Sequence, residues 1–350
     1  MKRIPADTDK SRITSLRRDK TASRGLSFNG ARIVVTGKVL PIMEELLSPF
    51  GQIEVADRTD EESLIALMPG TIALIARGIT PISARVIASA SDLRVIGRTG
   101  AGYDSIDLEA ATHHRIPVVY APRAGSRAVA EGTLGMMLGL AKQLPYLDRK
   151  TKSGEWKVRD SFSLGDLEEA TLGIVGLGRI GREVARLGRA FDMRVLCYDP
   201  LISRDTADKA GAELVDLDFL LKKADFISLH APLNQQTRGM INRQRLAKVR
   251  RGAVLLNLAR GGLIESLDVL EDALLSGRLS AVALDVYPHE PPDTSHSFFT
   301  HPNVLCTPHV MGLSGKAAHA TFTTVSRGVA EVLEGRIPDN IVNPEVLKGS

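Results

Sequence analysis

The chain has 350 residues, 43% of them apolar and 25% charged, with a formal net charge of +4. That length suits two domains of ordinary size and excludes a small scaffold that needs staples. No apolar run reaches the roughly 18 residues that suggest a membrane helix. The two cysteines, Cys197 and Cys306, lie far apart without a CxxC pattern, which argues against a disulfide framework or a zinc site. Both sit in apolar stretches and read as small buried hydrophobes.

The basic charge is not spread evenly. Residues 1–27 hold eight lysines and arginines against three aspartates, a surplus of +5, so the rest of the chain carries −1. This stretch lacks the apolar segment of a secretory signal and reads as a solvated, poorly ordered leader. A basic arm for nucleic acid or another acidic surface is the alternative. For the folded part, no membrane partner is expected, nor nucleic acid, and no metal; the setting expected is the cytoplasm.

From residue 31, short apolar runs alternate with helical stretches. "ARIVVTG" is a predicted strand, and "PIMEELLSPF" a helix opening at Pro41, where the missing N–H costs nothing. "TIALIAR" is a strand, "PISARVIASA" a helix, "LRVIGRT" a strand, "DSIDLEAATHHR" a helix and "IPVVYAP" a strand. Residues 28–122 thus read as a first α/β unit with a parallel sheet. A long apolar helix is predicted over 128–143, followed by a polar connection, "DRKTKSGEWKVRDS". A second series comes next: "TLGIVGLGRIG", "MRVLCYD", "ADFISLHAP", "AVLLNLARG", "LSAVALDVY" and "NVLCTPH". Six strands with crossovers match a full dinucleotide-binding sheet. An amphipathic helix is predicted over about 314–335.

The strongest motif lies in "GIVGLGRIGREVARLGRAFDMRVLCYDP". Gly176, Gly178 and Gly181 follow a strand and open a helix, and Asp199 ends the next strand. Gly176 permits the tight turn, Gly178 lets the backbone approach a pyrophosphate, and Gly181 allows close helix–strand packing. The helix N-terminus offers free N–H groups to the anion. Asp199 can accept from both ribose hydroxyls and would repel a 2′-phosphate, which favours NAD over NADP. FAD is the alternative nucleotide, but the motif is internal and the residues after it are unlike those of a flavoprotein.

Three polar residues each follow a strand of this unit: Arg260 before two glycines, Glu290 in "PHEPP", and His309 after "VLCTP". Singly, each has a bland explanation: a surface ion pair, a solvated turn, a capping histidine. Together, at strand ends of a dinucleotide fold, they read as a hydride-transfer site. A 2-oxo acid carries a carboxylate that a guanidinium can grip with a planar fork. Its carbonyl oxygen gains negative charge as hydride arrives and needs a proton donor, for which imidazole is suited. A carboxylate beside the ring fixes its tautomer and keeps that proton available. His309 is therefore the expected acid/base, Glu290 its partner and Arg260 the substrate anchor.

With these residues in view, the sequence resembles the D-isomer-specific 2-hydroxyacid dehydrogenase family over nearly all of residues 30–346. The resemblance rests on "GRTGAGYDSID", "VAEGTLGMML", "GIVGLGRIG", "HAPLNQQTRGMI", "LNLARGGLIE", "ALDVYPHEPP", "TPHVMG" and "IVNPEV". It implies an α/β chain with two Rossmann-like domains. A flavodoxin-like substrate domain, 28–122 and 309–350, would be split around a doubly wound NAD-binding domain, 123–308. The leader lies outside the family pattern.

By motif, the resemblance places the backbone N–H groups of Ala101 and Gly102 on the substrate carboxylate. It places Arg179 and Ile180 at the pyrophosphate turn, and Pro232 and Thr237 beside the adenosine. Asp285 would hold the nicotinamide carboxamide and Thr133 would lie near the nicotinamide. Leu258, Ala259 and Gly312 complete the implied cofactor contacts, and a homodimer through the nucleotide domain is implied. His230 and His289 rival His309, but only His309 fits the triple. The family often has Asp-Asn where this chain has Asp104-Ser105.

Within the family, formate dehydrogenases carry an amide in place of Glu290, which argues against that activity. Phosphite dehydrogenase keeps the triple. A phosphoglycerate-type substrate needs further cations, for which Arg98 and Arg115 are candidates; hydroxypyruvate and glyoxylate do not. The reading from another class is a nucleotide-sensing, corepressor-like interaction protein on the same fold, which would also retain the triple.

Overall fold

The computed structural model describes residues 30–161 and 164–347; the leader expected at 1–27 lies outside them. Two parallel sheets organise these residues. The first joins β1 (Arg32–Val35), β2 (Gln52–Val55), β3 (Thr71–Ala76), β4 (Val95–Arg98) and β5 (Val118–Tyr120) in the order β2-β1-β3-β4-β5. That is a flavodoxin-like order, with its reversal between β1 and β3. Its crossovers carry α1 (Pro41–Leu47), α2 (Glu61–Leu67), α3 (Ala84–Ala88) and α4 (Leu108–His113). Asp60, Ser83 and Asp107 cap the last three by accepting from backbone N–H groups.

The chain then enters α5 (Ser126–Ala141) and α6 (Leu144–Lys152). The second sheet comes after them: β6 (Thr171–Val175), β7 (Arg194–Tyr198), β8 (Glu213–Leu214), β9 (Phe226–Leu229), β10 (Ala253–Asn257), β11 (Leu279–Leu284) and β12 (Val304–Cys306). Its order is β12-β11-β10-β9-β6-β7-β8, a doubly wound sheet whose switch point falls between β6 and β9. Between these strands run α7 (Arg179–Arg189), α8 (Arg204–Lys209), α9 (Leu217–Lys223), α10 (Arg243–Leu246) and α11 (Leu267–Leu275). On α5, Ala130, Thr133, Leu134 and Met137 share one buried face at helical spacing. The apolar members of that stripe pack with Leu172, Ile174 and Val184 of the second sheet and α7.

The last helix, α12 (Gly315–Leu333), returns to the first sheet. Phe322, Val325, Val329 and Leu333 pack with Ile33, Ile75, Val95 and Val119, and each is at most 4% exposed. Such side chains contribute about 1.5–3 kcal/mol each, enough to anchor the helix there. The segment after α12 covers the edge of β5: Val342 donates to Val118 O at 2.8 Å and Tyr120 to Asn340 O at 3.0 Å.

Several local expectations change. The strand β2, the helix α2 and the two-residue β8 add to the elements expected from the sequence. No residue of β2 is buried, as suits an edge strand without an apolar run. The polar connection is partly helical, because α6 takes in Asp148–Lys152. That helix buries no residue, so it leaves no apolar stripe to find; three basic residues in its last turn suit its C-terminal dipole. Cys197 is buried as expected, whereas Cys306 is exposed, because β12 is the edge strand of its sheet.

Candidate active site

Because every strand of the second sheet runs parallel, the loops after β6, β9, β10, β11 and β12 open on one side. These loops carry the glycine turn, Pro232 and Thr237, Arg260, Glu290 and His309.

At the glycine turn, Gly176 has φ +93, and a Cβ there would lie 2.7 Å from Ala231 N and 2.8 Å from the carbonyl carbon of His230. Only glycine satisfies both the left-handed conformation and that approach. A Cβ on Gly181 would overlap the carbonyl oxygen of Gly176. Gly178 differs: a Cβ there would meet nothing within 4 Å, so open space lies before the turn. Gly178 also begins α7 without a side-chain cap, which leaves the first-turn N–H groups at Arg179 and Ile180 for a ligand. Asp199 accepts from Leu177 N and from Leu201 N, each at 3.0 Å, and so presents its carboxylate beside the turn. An uncapped helix start, open space and an adjacent carboxylate fit a dinucleotide's pyrophosphate and ribose. Thr237 closes the turn after β9 by donating to Pro232 O at 2.6 Å.

His309 adopts φ +54, an uncommon conformation for a residue with a side chain. Asp285 stabilises it. Its carboxylate accepts from the Thr307 hydroxyl at 2.6 Å, from Val310 N at 2.9 Å and from Met311 N at 3.1 Å. Asp285, expected against the nicotinamide, is thus 3% exposed and organises the histidine loop. His309 Nδ1 lies 2.8 Å from Glu290 Oε2, and Glu290 Oε1 accepts from Tyr287 N at 3.0 Å. With Nδ1–H held by the carboxylate, Nε2 is left without a protein partner among the described residues. Burial works to raise the Glu290 carboxyl. The hydrogen bonds from His309 and Tyr287 N, with the charges of His309 and Arg260, outweigh it, and the group stays below its ordinary value.

Arg260 is held from both units. Its Nε donates to Asp104 at 2.8 and 3.0 Å, and its Nη1 to Ala259 O at 2.7 Å. The buried Asn257 braces the turn, donating to Arg260 O at 2.9 Å and accepting from Ala259 N at 3.1 Å. The guanidinium lies over Gly102, where a Cβ would overlap Nη2. The N–H groups of Ala101 and Gly102 take no protein acceptor among the described residues. Arg98, at the end of β4, is 9% exposed and its Nε has no partner. Burial, then the nearby charge of Arg260, push it down to about 10 against the pull of Asp104, so it remains cationic at neutral pH.

Other expected residues fall elsewhere. Thr133 is fully buried and its hydroxyl donates to Val129 O at 2.9 Å, so its surface is closed to a ligand in this arrangement. Position 133 falls on the buried face of α5, which is why. Leu258 is 5% exposed and packs in the sheet's core, while Ala259 and Gly312 keep partial exposure at the crevice. Arg115 is exposed and precedes β5, at the end of the first sheet opposite Arg98, so it is not one of the site's cations. His230 is sequestered beside the glycine turn, its Nε2 2.8 Å from Ser228 Oγ and its Nδ1 unpartnered. The roles of Asp104, Asn257 and Thr307 were not read from the sequence. A polar residue at a strand end was the one available signal, and it is common.

The family model described as D-isomer specific 2-hydroxyacid dehydrogenase, NAD binding domain, matches residues 134–311. D-3-phosphoglycerate dehydrogenase of Methanocaldococcus jannaschii is 41% identical over 313 residues, 89% of this chain and 59% of that protein. The chain therefore spans about three-fifths of the length of this curated relative. D-lactate dehydrogenase from Aquifex aeolicus, solved with NAD and lactic acid, superposes with a TM-score of 0.81 at 26% identity, covering 89% of this chain and 99% of that one. A glyoxylate reductase from Paecilomyes thermophila gives 0.81 at 29% identity, covering 90% and 99%.

Proposed function

The chain belongs to the D-isomer specific 2-hydroxyacid dehydrogenase family, and on that premise we propose that it reduces a 2-oxo acid to a D-2-hydroxy acid, or runs the reverse reaction, with NAD as cofactor. The observation that carries this reading is the 2.8 Å contact between His309 Nδ1 and Glu290, which leaves Nε2 available in the crevice that also holds Arg260. When bound at the glycine turn, a reduced nicotinamide dinucleotide would supply the hydride. Arg260 grips the substrate carboxylate with its Nη groups, assisted by the N–H groups of Ala101 and Gly102. His309 donates a proton from Nε2 to the carbonyl oxygen as charge develops there, and Glu290 holds the resulting ring orientation. In the oxidative direction His309 takes the proton back.

Asp199 favours NAD over NADP by repelling a 2′-phosphate. Arg98, buried without a partner for its Nε, favours a substrate with a second anionic group, as a phosphorylated hydroxypyruvate has; hydroxypyruvate and glyoxylate are the smaller candidates. We place the enzyme in the cytoplasm as a homodimer through its nucleotide-binding unit.

The test is NADH oxidation with glyoxylate, hydroxypyruvate, pyruvate and phosphohydroxypyruvate, repeated with NADPH. We expect turnover of at least one with NADH, abolished in His309→Ala and Arg260→Ala while NADH binding persists. Silence across the panel in protein that binds NADH would overturn the enzymatic reading in favour of a sensing role.

A further inference from the structure

Among Arg260's contacts, the longest reach in sequence is to Asp104. The two residues lie on different units: Asp104 in the loop after β4 of the first sheet, Arg260 after β10 of the second. That loop is itself fastened, because Ile82 N donates to Ser105 O at 2.8 Å, Asp107 N to Ile82 O at 2.9 Å and Ala121 N to Gly100 O at 2.9 Å. Asp104 is thus a fixed carboxylate presented to a side chain with several rotatable bonds.

The pattern of donors matters more than the charge. Arginine has five N–H groups in a rigid fork. Asp104 takes the one on Nε with both oxygens, and Ala259 O takes one on Nη1. The remaining donors lie on the Nη edge, and Nη2 sits over Gly102, beside the free N–H groups of the same loop. A carboxylate engaged at Nε therefore does not compete with one arriving at the Nη edge. It sets the plane in which the fork lies.

We propose that Asp104 is a positioning residue for the substrate anchor: by holding Arg260 through Nε across the two units, it aims the Nη edge at the substrate carboxylate. This rests on the proposed 2-oxo acid chemistry and deepens it. Asp104 does not touch the reacting atoms. With side chains 26% and 41% exposed, the pair contributes little to folding, so a variant lacking it remains folded.

The experiment is a double-mutant cycle between Asp104→Asn and Arg260→Lys, with oxamate binding in the presence of NADH as a readout independent of turnover. Lysine lacks the fork, so nothing remains for Asp104 to orient. In the wild-type background, Asp104→Asn lowers kcat/KM about tenfold and weakens oxamate about as much, with NADH affinity unchanged; loss of orientation at a bidentate site carries a penalty of this order. Asp104→Glu, which keeps the carboxylate, recovers part of the loss. In the Arg260→Lys background, Asp104→Asn changes neither quantity. Equal losses in both backgrounds would make Asp104 a merely structural residue, and unchanged or improved catalysis in the single variant would make the ion pair a competitor of substrate; either overturns the proposal. If the wild type turns over no 2-oxo acid and binds no oxamate, the functional reading itself fails, an outcome distinct from an active wild type indifferent to Asp104.

Discussion

Substituting Gly102 with alanine tests the anchor without altering any charge. A Cβ at this position would overlap Arg260 Nη2, so the guanidinium must retreat by roughly 2 Å to restore an ordinary non-bonded distance. The retreat pulls the guanidinium off the bonds that set its plane, Nε to Asp104 and Nη1 to Ala259 O. The fork then meets the substrate carboxylate out of line. A charge-assisted hydrogen bond is worth about 1.5–3 kcal/mol, so kcat/KM should fall about tenfold to a hundredfold. The assay is NADH oxidation against whichever 2-oxo acid the wild type prefers, with NADH affinity measured in parallel. The glycine turn at Gly176–Gly181 belongs to the other unit, so NADH affinity should hold. A Gly102→Ala enzyme with wild-type kcat/KM would refute Arg260 as the anchor in this arrangement, and a loss of NADH affinity would place the damage elsewhere.

Four further outcomes are expected. Replacing Glu290 by glutamine should lower kcat/KM about tenfold to a hundredfold, since His309 loses the carboxylate that orients it. Because the Glu290 carboxyl lies below its ordinary value of 4.5, its stabilising contribution is present above that pH and lost as pH falls through the lowered value; the melting-temperature gap between wild type and Glu290→Gln should therefore close in acid. Asp199→Ala should weaken NADH and reduce the preference for NADH over NADPH, measured as a ratio of kcat/KM values, because the same carboxylate repels the 2′-phosphate and holds Leu177 N. Burial drives His230 down from 6.5 to about 3, so the folded state refuses a proton that the unfolded state takes up as pH falls through 6.5. The full displacement corresponds to about 5 kcal/mol. That stability is lost progressively between pH 6.5 and 3. Denaturant titrations of wild type and His230→Gln across that range should show the steeper slope in the wild type; parallel slopes would refute the assignment.

Much of this architecture was legible because burial imposes periodicity. The strands β3, β9 and β10 are buried at every position, as parallel strands covered on both faces must be, and they appear in the sequence as near-continuous apolar runs, interrupted only by Thr71, Ser228 and Asn257. Elements that bury little left no such trace, and β2, β8 and α6 were missed for that reason. The glycine turn was legible because each of its three glycines answers a separate local demand, and Arg260, Glu290 and His309 because all follow strands of one parallel sheet.

What the sequence determined by itself was therefore the α/β rhythm, the dinucleotide turn and the three polar residues at strand ends. Tertiary structure alone decided which groups those residues meet. Asp104 and Arg260 are separated by 156 positions and come together only because the loop after β4 faces the loop after β10. Thr133 turned inward because a helix face is chosen by what packs against it. Asp285 became the clamp of the histidine loop because the loop after β12 folds over the end of β11. Propensity and pattern act over a few residues along the chain, whereas a hydrogen bond needs atoms about 3 Å apart in space, and only the packed sheets bring them there.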